Sequence, residues 1–407
     1  MKKPELLIPA GNLEKLRTAL LYGADAVYVG VEGLSLRAGS SEMSMSDLDT
    51  GVKDAHAKGV KVYAAANTFT RDTDLERAKK MIPVLADTGV DALIVSEPGM
   101  LQLTKKIAPR LSIHLSTQAN TTNIEAVRFW QEQGVKRIVL ARELTLKEIG
   151  EISAAVPEME LEIFIHGAMC MSYSGRCYLS AFRNRRSANE GDCSQPCRWE
   201  YLLYESTRPN DPFILEEDER YSYLLSSRDL CLIEYLPDVL ASGAASFKIE
   251  GRMKSSYYVA VVTRTYRQAL DSLIRQKDKY KFRPEWPKWM EELTKISNRG
   301  YTTGFAFTEE KINETNPDIK YIQSHEPVGI VLQYDAAKKR MLVGIRNHLT
   351  AGDDIELLLP DDIIKIDTST MTDVKGNAVG EANNDHQIYL PVKKEVPVGA
   401  ILRQKVK

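Results

Sequence analysis

Five times in this chain a helical stretch ends in glycine and a short, β-branched apolar run follows at once: "YGADAVYVG", "KGVKVYAAAN", "TGVDALIVSE", "QGVKRIVLARE" and "SGAASFKIEGR". A glycine there is a natural helix C-terminal cap, because it takes the left-handed conformation without steric cost. The runs that follow are near-continuous in apolar residues rather than alternating, which suits strands buried on both faces of a parallel sheet. The initial "ELLIPAG" and two strands entered through "APRLSIHLSTQAN" and "VPEMELEIFIHG" bring the predicted strands to eight, at about residues 5–10, 25–30, 60–66, 90–96, 111–117, 135–141, 159–165 and 245–250. Amphipathic helices such as "NLEKLRTALLYG" and "NIEAVRFWQEQG" separate them. Eight βα units in about 250 residues is the arithmetic of a (β/α)8 TIM-like barrel. An open doubly wound sheet is the alternative, and the unit count favours the barrel.

The spacing breaks once. After strand seven about 65 residues intervene before the next helix, "CLIEYLPDVLASG", and the insertion, about 166–230, begins with four of the five cysteines between His166 and Cys197. It leaves the C-terminal end of a barrel strand, the face where barrel enzymes place their chemistry. The expected organisation is a barrel with this insertion over 1–280, a helical linker over 281–324 and a small antiparallel β-barrel over 325–407. The last segment is split into short alternating runs by Asp, Gly and Asn, and has no cysteine.

Every apolar run near the N-terminus is broken by a charge, and no stretch reaches membrane-spanning length, so the expected compartment is the cytoplasm. Thiols stay reduced there, and clustered cysteines more often bind metal or react than pair. A net charge of -2 neither requires nor forbids RNA as a partner. Cys170, Cys177, Cys193 and Cys197 are separated by six, fifteen and three residues, and Cys231 follows after thirty-three more. That fits neither paired C-x-x-C zinc ribbons nor the compact ferredoxin run. Thiolate-only sites favour zinc or an iron–sulfur cluster, and a place at the barrel mouth with a fifth thiol to spare favours iron; zinc and unligated buried cysteines remain alternatives.

Other residues are candidates by position. His166 ends strand seven and leads to Cys170, which suits proton transfer or a hydrogen bond to a cluster sulfur, whereas His114 within strand five reads as core. Glu97, Glu143 and Glu250 follow strands four, six and eight, so all three are expected to rim the catalytic face, with Lys248 and Arg252 beside the last. Arg183, Arg185, Arg186 and Arg198 in the cysteine segment offer contacts to RNA phosphates or to an anionic small molecule. Tyr173, Tyr178 and Phe182 lie among them and can stack a base or pack the loop. H-E-x-x-H and G-x-S-x-G are absent, leaving a cysteine peptidase using His166 as the one legible hydrolytic scheme.

The blocks "EIFIHGAMCMSYSGRCYLS", "GDCSQPCRWEY", "SSRDLCLIEYLP", "FKIEGRMKSSYYV" and "NRGYTTGF" together resemble the signature of the collagenase-like peptidase family U32. Within it the architecture is most similar to bacterial proteins that depend on prephenate to make 5-hydroxyuridine in tRNA anticodons. The resemblance implies iron–sulfur-dependent hydroxylation of tRNA, prephenate as co-substrate, and a paralogous family subunit as a further partner. It implies Cys170, Cys177, Cys193 and Cys231 as ligands of a 4Fe-4S cluster, with Cys197 as the fifth cysteine or a substitute ligand. Peptidase activity and a non-catalytic binding role are the competing implications.

Overall fold

A computed structural model describes residues 3–35, 42–170, 172–199, 227–276, 282, 284–307 and 321–406. The eight expected strands form one closed parallel ring: β1 (Glu5–Ala10), β2 (Ala26–Val31), β3 (Lys61–Ala66), β4 (Ala92–Val95), β5 (Ser112–Leu115), β6 (Arg137–Val139), β7 (Glu160–Ala168) and β8 (Ser246–Ile249). Each pairs with its successor, and β8 closes the ring by pairing with both β7 and β1. The helix–glycine–strand rule holds locally. In the helix Leu13–Tyr22 the Asn12 side chain accepts the Lys15 amide, and Gly23, at φ 99°, donates to Ala19 O.

Small residues and two tyrosines fill the ring: Leu7, Ala26, Tyr28, Tyr63, Ala65, Ala92 and Ile94 form the interior cluster. At the N-terminal end of the strands an ionic network closes the bottom. Arg137 bonds Glu5 at 2.5 Å, Glu160 at 2.7 Å and Glu162 at 3.3 Å, while Lys248 reaches Glu162 at 2.7 Å. Removing one member of such a buried set leaves a charge unmatched and costs about 3–5 kcal/mol. His114 lies in the same interior, its ring edge-on to Tyr63 at 4.6 Å, as expected of a core histidine.

The top of β7 departs from regular geometry. Its register against β8 shifts between Lys248 and Ile249, and Gly167, at φ 108°, lies where an added Cβ would meet Glu250 O at 2.5 Å. Only glycine lets the chain pass there. The strand Asp229–Cys231 returns antiparallel beside it, pairing Cys231 with His166, and Tyr301–Thr302 extends that edge. Cys231 thus stands on a strand, before the helix Leu236–Ala241.

The segment expected as a linker is partly barrel. The helix Trp286–Thr294 packs on the 21-residue helix Ser256–Gln276, and Trp289, Leu293 and Ile296 are buried in the main core. C-terminal to it, seven strands between His325 and Lys405 form an antiparallel sheet around their own core, which includes Val331, Met341, Leu357 and Leu402. This unit is docked rather than tethered. Leu358 and Ile401 belong to the barrel's core, Tyr22 OH donates to Leu358 O at 2.9 Å, and Arg403 joins Glu292 at 2.8 Å and Glu356 at 2.7 Å. Among the described residues no helix is long and apolar enough to cross a membrane.

Candidate functional site

At the C-terminal ends of the strands lies a cavity of about 170 Å³. Tyr28, Ile94 and Phe164 supply its apolar floor, Arg142, Lys248 and Arg252 its cations, and Glu250 a carboxylate. The cysteine loop completes the lining, and Cys170, Cys177, Cys193 and Cys197 all border the same space. Among the described residues no group of three or more His, Cys, Asp or Glu side chains stands close enough to hold a metal ion, so the thiols border one space without converging on a point.

The cations are set by the fold. Lys248 is buried, held below by Glu162 and stacked 4.4 Å over the Tyr28 ring; burial and the nearby Arg252 and Arg137 lower its pKa, and Glu162 opposes them. Arg142 lies 3.9 Å over the Phe164 ring and donates to Ala168 O at 2.8 Å, which ties the end of β6 to the end of β7. Arg252 is buried with its guanidinium 5.9 Å from the Tyr28 ring. Cations over aromatic faces in a partly dry cavity favour an anionic ligand.

The loop that carries the thiols is anchored at Ser174. This residue sits in the left-handed region at φ 45° in a tight turn from Tyr173 to Arg176. Its amide and hydroxyl donate to the two oxygens of Glu143 at 2.7 and 2.5 Å, and its hydroxyl accepts the Arg142 amide at 3.1 Å. Further along, Ser194 receives bonds from Asn184 at 2.6 Å and pairs with Ser180 at 3.0 Å, joining the helix Leu179–Asn184 to the segment bearing Cys193 and Cys197.

The sequence model of peptidase family U32 matches residues 11–316, and that of the family's C-terminal domain matches residues 323–403. The chain belongs to peptidase family U32. Among its relatives, tRNA hydroxylation protein P of Escherichia coli is 35% identical over 99% of this chain and 96% of its own length. The tRNA hydroxylation protein P1 of Bacillus subtilis is 37% identical over 95% and 91%. A 23S rRNA 5-hydroxycytidine C2501 synthase of Escherichia coli is 36% identical over 90% of this chain and 54% of that longer protein.

Several sequence-based assignments fall in other places than expected. Glu97 does not face the cavity: it caps the helix Pro98–Ile107, accepting the Gly99 and Met100 amides at 2.7 and 2.6 Å and the Thr70 hydroxyl at 2.6 Å. Glu143 is the anchor of the loop turn. Of the three carboxylates only Glu250 lines the cavity. His166 turns away from it into a cluster of Tyr258, Tyr266 and Tyr301, where burial and Lys254 push its pKa down to about 3 against the pull of Glu250. The register shift beside it turns the side chain outward, so it is placed for core packing rather than for proton transfer at the mouth. Cys231 is also buried off the cavity wall, 3.7 Å from the Tyr266 hydroxyl, and burial pushes its thiol up to about 11.

Arg183, Arg185 and Arg186 are exposed on the loop's outer side, and Arg186 is held by Asp192 at 2.7 Å. The side chain of Arg198 lies outside the described residues. Arg142 was missed: it stands beside Glu143 at the end of β6, and the strand-end rule that selected the carboxylate pointed equally to it.

Proposed function

We propose that this chain hydroxylates uridine in the anticodon of tRNA to 5-hydroxyuridine, using prephenate as co-substrate and an iron–sulfur cluster, in the cytoplasm. The observation that carries the reading is one cavity at the barrel mouth lined by four thiols and three cations. The names of relatives matched over nearly the full chain, two tRNA hydroxylation proteins and an rRNA hydroxycytidine synthase, support RNA as the substrate and hydroxylation as the reaction.

The chemistry of the donors suits the cofactor, although in this structure the thiols do not converge. Thiolates are the ligands of iron–sulfur clusters, and Cys170, Cys177 and Cys193 would hold one with a fourth thiolate from Cys231, as the family resemblance implies, or from Cys197, which borders the same space. A cluster bound there would supply one-electron chemistry beside the substrate. Lys248, Arg252 and Arg142 would orient a dicarboxylate such as prephenate, and Phe164 and Tyr28 offer its ring an apolar floor.

Anaerobic purification with iron and sulfide analysis tests the cofactor, and nucleoside mass spectrometry of tRNA from a deletion strain, complemented with this chain and grown with or without a prephenate supply, tests the reaction. Restored 5-hydroxyuridine that depends on prephenate is the expected result. An iron-free protein that still restores the nucleoside would overturn the cofactor assignment, and intact tRNA uridine in the complemented strain would overturn the function.

A further inference from the structure

We infer that the outward face of the cysteine loop is a stacking surface for the unpaired bases that flank the target nucleotide; this rests on the RNA reading above. The two most exposed large apolar side chains among the described residues are here. Tyr178 is 75% and Phe182 79% exposed. Tyr178 caps the helix Leu179–Asn184, and Phe182 lies one turn on, so both rings lie on one side of it. Tyr173, 53% exposed, stands on the turn held by Glu143. A folded chain normally buries rings of this size, and a cluster left out in water marks a surface built for a partner.

Charge narrows the partner. Among the described residues of this loop, Arg183 and Arg185 are exposed, Arg176 is exposed with its guanidinium donating to Gln118 O at 2.7 Å, and the acids Asp192 and Glu190 are matched by Arg186 at 2.7 Å and Arg71 at 3.3 Å. The described part of the face is therefore aromatic and basic, the combination that binds single-stranded nucleic acid through base stacking and phosphate contact. Its position adds a geometric reason. Cys177, next to Tyr178, lines the cavity, so the segment that carries the rings borders it. A base must leave its stack to reach a site inside a barrel mouth, and its neighbours then lose a stacking partner that the rings can replace. The surface is also pre-organised: the Glu143–Ser174 anchor and the Asn184–Ser194 bond fix the two segments that carry the rings.

The test is fluorescence anisotropy of the holoprotein with a labelled anticodon stem–loop and with a fully paired duplex of the same sequence. Tyr178→Ala and Phe182→Ala should each weaken stem–loop binding about 5- to 100-fold. They should leave the salt dependence unchanged, because no phosphate contact is lost, whereas Arg183→Gln with Arg185→Gln should flatten it. Tyr178→Phe and Phe182→Tyr should bind as wild type does. Alanine variants that bind the stem–loop normally, or that instead dissociate an oligomer with RNA affinity intact, would overturn this inference alone. A wild-type protein that binds neither RNA would overturn it together with the RNA reading.

Discussion

Replacing Glu143 by Gln asks whether this carboxylate supports the cysteine loop or reacts. Its two oxygens accept the amide and hydroxyl of Ser174 at 2.7 and 2.5 Å, and they hold a non-glycine residue at φ 45°. A left-handed serine costs about 1–2 kcal/mol and persists only where its surroundings enforce it. Hydrogen bonds to a charged acceptor contribute about 1.5–3 kcal/mol and neutral ones about 0.5–1.5, so neutralising the acceptor of two bonds weakens the turn by about 2–3 kcal/mol. The closed turn then opens about 30- to 150-fold more often. Amide hydrogen exchange read by mass spectrometry should show that loss of protection at residues 173–177, with exchange in β1 to β6 unchanged. Bound iron and hydroxylation should fall together, because the wall carrying Cys170 and Cys177 loses its anchor. If hydroxylation collapses while exchange at the turn and iron content stay at wild-type levels, Glu143 is a reacting group and the support argument is wrong.

Single Ser substitutions at Cys170, Cys177 and Cys193 should each lower the iron content of anaerobically purified protein, and the same assay on Cys231→Ser and Cys197→Ser identifies the fourth ligand as the one whose loss releases iron. Truncation after residue 324 should destabilise the barrel by about 3–5 kcal/mol in urea denaturation, because it uncovers the core at Leu358 and Ile401 and leaves Glu292 without Arg403; a barrel of unchanged stability would mean that the docking contacts contribute nothing. Burial pushes the Glu292 carboxyl up, but the Arg403 and Lys295 contacts outweigh it and bring it down to about 2. A depressed carboxyl stabilises the fold above its unfolded pKa, so wild type should exceed Glu292→Gln by about 3 kcal/mol at neutral pH, with the difference disappearing as pH falls from about 4.5 to 2. A pH-independent difference would point to lost packing instead.

The ring was legible because its signal is local and repeated. Each strand is a short run buried on both faces, each preceding glycine caps a helix, and a sheet closed on itself is what eight such units in succession can make. The docking of the C-terminal unit was not legible, since the contacts that seat it, Tyr22 with Leu358 and Arg264 with Leu359, join residues 336 and 95 positions apart that look ordinary in sequence. At the site, strand-end position alone brought Lys248, Glu250 and Arg252 to the cavity but could not separate them from Glu97 and Glu143, because a carboxylate just past a strand can equally cap the next helix or anchor a neighbouring loop. His166 shows the same limit in sharper form. Strict alternation along β7 puts Glu162 and Phe164 inside the ring and would put residue 166 there too, but the register shift opposite Ile249 turns it outward into the tyrosine cluster. Such an irregularity depends on how β8 pairs across the ring and on Glu250 O lying against Gly167, so no window of sequence around the histidine contains it. Glu97 was misplaced by a local cap that competes with the cavity, whereas Glu143 and His166 were misplaced because their roles depend on pairings across the fold, and Arg142, whose guanidinium is positioned by Phe164 and Ala168 from the neighbouring strand, escaped notice for the second reason.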